Sequence, residues 1–229
     1  MKAKSFAALM GIALLGYATS AGAFVIQAQL TGDIRLDNPD NLIVDVTITV
    51  NETTETALWV IDINSTAHPG IKLDEFYFNL GGSANDYTFT AFNPIDWAVN
   101  TPASVQGAGG TTFIFETLDP SGPPDASDVT NSQNLSFTMT YNGDLTASLF
   151  LTAPSATSND AGSGQLGAHL QSLTTTGNCG SSTNCSDSGF AFGNYESKTT
   201  PTEIPEPMSL ALLGMGLVGI GLARRRRSG

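Results

Sequence analysis

The chain reads as an all-β protein, an antiparallel β-sandwich of jelly-roll type, with a closed barrel as the alternative. Three observations point there. Through most of residues 24–194 apolar side chains recur at every second position, clusters of Gly, Pro, Asn, Asp and Ser separate the runs, and no comparable stretch has helical periodicity. That region is long enough for one domain with a sizeable core.

In chain order, the first strand is marked by Ile26, Ala28 and Leu30. The clearest follows: Val44, Val46, Ile48 and Val50 alternate with Asp45, Thr47, Thr49 and Asn51, the pattern of a strand with one wet face. The same alternation recurs at Trp59, Ile61 and Ile63, at Phe76, Phe78 and Leu80, at Tyr87, Phe89 and Ala91, and at Phe113 and Phe115. Leu135, Phe137, Met139 and Tyr141 form another strand. Asn142, Gly143 and Asp144 then supply a tight-turn signal, which predicts a hairpin to a strand at Ala147, Leu149 and Leu151. Leu166, Ala168 and Leu170 precede a last short strand at Phe190 and Phe192. Residues 101–110, 119–132 and 153–164 read as long loops, and the polar run 195–204 as a flexible stalk.

Both ends of the chain are targeting devices. Lys2 and Lys4, the apolar run from Phe6 to Tyr17, and Ala21-Gly22-Ala23 are the three parts of a secretory signal peptide, with cleavage expected before Phe24. At the other end Pro205, Glu206 and Pro207 precede an uncharged segment, 208–223, and then Arg224, Arg225, Arg226 and Arg227. A helix is the only way such a segment satisfies its backbone in lipid, and it would reach roughly 24 Å, marginal for a bilayer core. Arginines favour the cytoplasmic side, so the rest of the chain is expected across the membrane.

This tail, residues 205–229, resembles the PEP-CTERM sorting signal of Gram-negative, exopolysaccharide-forming bacteria, in its motif, its Leu/Gly-rich helix and its terminal arginines. The same tail pattern is also known as an ice-binding protein C-terminal domain, which describes the tail and is no evidence of ice binding. The resemblance implies recognition by an exosortase, an integral-membrane transpeptidase that cuts near Pro-Glu-Pro. It further implies export across the inner membrane, a transient membrane anchor, and release to the cell surface or the extracellular matrix.

Between Phe24 and Pro207 only Arg35, Lys72 and Lys198 are basic, against all 21 acidic residues, a formal net charge of −18. Such a surface repels nucleic acid and anionic lipid headgroups, so no nucleic-acid partner is expected. Cys179 and Cys185 lie in a Gly/Ser/Thr/Asn loop of an exported chain, a setting that favours a structural disulfide. No catalytic residue is assigned. The sequence holds no G-x-S-x-G, H-E-x-x-H or phosphate-loop motif, and its many carboxylates make a glycosidase pair undiagnostic.

No cofactor or metal site is expected. Asp33, Asp37 and Asp40, and likewise Asp119, Asp125 and Asp128, could together hold Ca2+, although solvated acidic turns account for both clusters without a metal. His68 sits before Pro69-Gly70 in a turn, and His169 points away from the apolar face of its strand, exposed or tucked under a loop. The function expected is a non-enzymatic surface or matrix protein of exopolysaccharide or biofilm. The alternatives are a carbohydrate-binding module using an exposed Trp59 or, better, Trp97, and more remotely a glycan hydrolase.

Overall fold

The computed structural model describes residues 22–32, 40–101, 112–118, 128–157, 162–176 and 185–198. The strands are β1 (Ala23–Thr31), β2 (Ile43–Asn51), β3 (Thr56–Ile63), β4 (Lys72–Phe78), β5 (Tyr87–Asn93), β6 (Ala98–Asn100), β7 (Phe115–Leu118), β8 (Val129–Thr130) and β9 (Leu135–Tyr141). After a helical turn, α1 (Ser148–Leu151), come β10 (Ala156–Thr157), β11 (Ser163–Gly164), β12 (Leu166–Gln171), β13 (Ser188–Gly193) and β14 (Glu196–Lys198). All pairings between these strands are antiparallel.

The main sheet is one hydrogen-bonded path, β5-β9-β3-β2-β1-β13-β12-β4-β7-β6, with β14 added on β1 and β8 on β4; β10 and β11 form a separate ribbon. Its two edge strands, β5 and β6, are consecutive in sequence. Laid flat, ten strands would hold those edges roughly 43 Å apart. The chain from Asn93 to Ala98 reaches at most about 18 Å, so the sheet must curl until its edges approach. Two separately bonded sheets, as a jelly-roll sandwich requires, are not what the described residues form; the arrangement is nearly that of a barrel. The all-β, antiparallel expectation stands; neither a sandwich of two separate sheets nor a fully closed barrel is shown.

The alternation read from the sequence fills the inside of this curl. Ile26, Leu30, Val44, Val46, Ile48, Val50, Ile61, Leu135 and Leu170 are all buried to within 1%. At the centre Trp59 stacks on Phe137 (ring centroids 5.4 Å, 17° between planes), and Phe78 stacks on Phe115 at 5.0 Å. Phe150 of α1 reaches in against Trp59 and Tyr195. A smaller apolar layer forms on the outer face, where Tyr77, Phe113, Phe190, Phe192 and Ala156 pack together. Phe190 and Phe192 therefore serve this outer layer, while Ala191 between them faces the core.

One end of the curl is tied by polar groups with no access to water. Gln165 donates through Nε2 to the carbonyls of Phe150 and Ala153, and its Oε1 accepts from the Tyr195 amide. Asn79 donates to the Pro154 carbonyl, accepts at Oδ1 from the Ile114 amide, and offers its own carbonyl to the Tyr195 hydroxyl. Buried amides are stable only when so satisfied.

Three sequence expectations are corrected here. Residues 148–151 form a helical turn and not the second strand of a hairpin, because the side chain that must be buried is Phe150, out of step with Leu149 and Leu151. The stalk does not begin at 195: Tyr195 is buried, and Glu196, Ser197 and Lys198 pair with Gln27, Ile26 and Val25. Leu80 lies beyond the end of β4, although it is buried as expected. Ala23, at the expected cleavage site, opens β1 opposite Asn51, so a cut before Phe24 trims only the strand's first residue. Ala21, the sorting motif Pro205, Glu206 and Pro207, the segment 208–223, Arg224–Arg227 and Cys179 lie outside the described residues. Among the described residues no helix is long and apolar enough to cross a membrane.

β1 and the β13–β14 stretch approach closely at Gly193, where an added Cβ would sit 2.7 Å from the Gln29 carbonyl oxygen. Backbone cannot yield there as a flexible side chain would. Gly193→Ala is expected to cost about 1–3 kcal/mol, lowering Tm by about 2–4 °C for each kcal/mol; a thermal melt indistinguishable from the parent's would refute this close approach.

Candidate functional site

On the outer face of the sheet a defect in β4 brings a group of ionisable side chains together. In β12 the residue His169 stands opposite Glu75, whereas the next residue, Leu170, stands opposite Leu73. Asp74 is therefore an extra residue, a β-bulge. In a regular strand Asp74 and Glu75 would point to opposite faces. The bulge turns both outward, next to the ring of His169, while Leu73 and Phe76 on either side stay in the core.

His169 Nδ1 donates to Asp74 Oδ2 at 2.8 Å and lies 3.4 Å from Glu75 Oε2. The Tyr77 hydroxyl, on the same face two residues along, donates to that same Glu75 oxygen. Phe190, across from His169 on β13, lies flat on the imidazole at 4.6 Å with 16° between planes, which fixes the ring's orientation. The three polar side chains are 15–23% exposed, so the group is roofed but reachable. Beside it His169, Gln171, Ser172, Asp187 and Ser188 line a shallow recess.

Electrostatics follow from this packing. Burial pushes His169 toward the neutral form, but the hydrogen bonds and charges of Asp74 and Glu75 outweigh it and raise its pKa from 6.5 to about 9. The ring is thus an imidazolium at neutral pH. Burial, followed by the contact with Glu75, lifts the Tyr77 hydroxyl well above its ordinary value. Glu116, opposite Tyr77 on β7, is raised by burial and then by Glu75.

The other residues singled out in the sequence go elsewhere. His68 is fully buried: Nε2 lies 2.7 Å from the Asp40 carbonyl, and Nδ1 accepts from the Thr174 amide at 3.1 Å. A carbonyl only accepts and an amide only donates, so Nε2 carries the proton and the ring is a structural strut between two loops. Asp128 is bound to Lys72, and its expected companions Asp119 and Asp125, like Asp33 and Asp37 beside Asp40, lie outside the described residues. Trp59 and Trp97 are 0% and 2% exposed. Neither offers a face to a sugar, which corrects the expectation of an exposed tryptophan: each ring removes more apolar area from water in the core than any other residue there could. Cys185 is nearly buried and its amide donates to the Thr175 carbonyl, and among the described residues there is no free cysteine.

Sequence reasoning placed His169 on the outer face but missed its partners Asp74 and Glu75, which lie 95 and 94 residues away in the chain. A signal was present. Leu73 and Phe76 are core residues three apart with two acids between them, a break in period two that marks an inserted residue.

Because the folded pKa of His169 lies above its ordinary 6.5, its contribution to stability is complete below about pH 6.5 and is lost as pH rises through about 9. Stability is expected to fall by up to about 3 kcal/mol across that interval, taking 1.36 kcal/mol per pH unit of pKa difference, and the fall should vanish in His169→Gln. NMR of the imidazole carbons checks the cause directly: a midpoint near 9 is expected, and one near 6.5 would refute the ion pair.

No curated protein and no solved structure matches the chain. The family model of the PEP-CTERM protein-sorting motif does match, over residues 203–227, in agreement with the resemblance read from Pro205-Glu206-Pro207, the apolar run and the arginines. Through those residues the chain carries a PEP-CTERM protein-sorting motif.

Proposed function

We propose that this protein is a non-enzymatic component of the cell surface or extracellular matrix, exported and sorted by an exosortase through residues 203–227. The sorting motif is the observation that carries this reading. The signal peptide takes the chain across the inner membrane, residues 208–223 hold it there, Arg224–Arg227 stay on the cytoplasmic side, and cleavage near Pro205-Glu206-Pro207 frees the acidic domain.

The domain's chemistry supports cargo rather than catalyst. The sequence has no recognisable nucleophile motif, and a formal charge of −18 between Phe24 and Pro207 favours solubility in a hydrated polymer. Tryptophan-mediated sugar binding loses its support with both rings in the core. Contacts with exopolysaccharide would then run through polar sheet faces and loops. A Cys179–Cys185 disulfide belongs to the same reading, closing the loop that leads into β13 in an oxidising compartment.

Mass spectrometry of the protein recovered from cells and medium tests the proposal. Expected are a mature start near Phe24, loss of the arginine block, and a Cys179–Cys185 cross-linked peptide. Replacing Pro205, Glu206 and Pro207 by alanine should leave the uncut chain in the membrane fraction. Full-length protein dissolved in the cytosol, with both thiols free, would overturn it.

A further inference from the structure

Asp74, Glu75 and His169 have no part in sorting, yet each presents a ligand atom, and these atoms lie within 4.8 Å of one another. We propose that they form a binding site for one zinc ion, held by His169 Nδ1 and one oxygen from each carboxylate, with solvent completing the coordination. This goes beyond the sorting proposal and does not depend on it.

Geometry carries the assignment. Tetrahedral zinc with bonds of about 2.0–2.1 Å places its ligand atoms about 3.3 Å apart. The imidazole nitrogen is already 2.8 Å and 3.4 Å from the two carboxylate oxygens, close to that spacing. The backbone is arranged for it: only the bulge at Asp74 lets adjacent acids converge on a residue of the neighbouring strand. Supporting groups are also in place. The Tyr77 hydroxyl orients Glu75, and Phe190 fixes the imidazole plane, the outer-shell support that metal ligands require. An imidazole in the set favours zinc over calcium, which takes oxygen alone.

Isothermal titration of zinc chloride into the full chain, purified in mild detergent with a histidine-free tag, tests the site. One ion per chain is expected. Tyr77→Phe keeps the ligands and removes only the hydroxyl on Glu75, and should weaken binding about 10–100-fold. His169→Gln should weaken it further, while Asp45→Asn, elsewhere on the sheet, should leave it unchanged. Absence of saturable binding, or binding unaltered in a folded His169→Gln protein, would overturn the proposal.

Discussion

A hydrogen-bonded sheet with two free edges is the constraint from which the rest of this structure follows. Here the edges belong to β5 and β6, strands joined by a short link, and that link forces the whole path to bend back on itself. Bending gives the sheet an inside, and the inside has to be filled. Trp59, Phe76, Phe78, Phe115 and Phe137 do so from four strands, with Phe150 of α1 entering from one end. Their hydrophobic burial outweighs the loop-closure entropy of so many non-local pairings. The buried amides of Gln165 and Asn79 then fix where the end elements sit, since each has several partners and any slip would orphan them.

The outer-face cluster has its origin in irregular pairing. A regular strand can offer only every second residue to one face. β4 escapes that rule at Asp74, and β5 departs from it between Thr90 and Asn93, where Ala91 takes a positive φ of 55°. In β5 the irregularity precedes the link to β6 at the sheet edge. In β4 it lies mid-sheet, between neighbours on both sides, and its product is chemical: two carboxylates and an imidazole in contact under a phenylalanine ring.

The sequence made the strands legible wherever one face is buried and the other wet. Val44 to Val50 and Leu135 to Met139 are such cases, because alternation there is imposed by the core. It failed where something other than burial holds the backbone. Glu196, Ser197 and Lys198 are all exposed and carry no pattern, yet they are a strand because β1 offers unpaired backbone groups. Ala147, Leu149 and Leu151 alternate by accident over a segment shaped by Phe150. The curl of the sheet was equally hidden, since period two is the same in a sandwich and a barrel. The outer cluster was half legible: His169 could be placed on its face, but its partners come from a distant strand whose register depends on a single inserted residue. The sorting motif was legible, as its message is written in consecutive residues, and the family model matches it over residues 203–227.

The pairing of Val25 with Lys198 has a geometric result for the protein's passage through an envelope. Entry and exit of the domain lie side by side, at the same rim and pointing the same way. Whatever precedes Ala23 and whatever follows Lys198 thus share one point of departure, so a leader and a trailing anchor could occupy a single patch of bilayer without stretching the folded body between them.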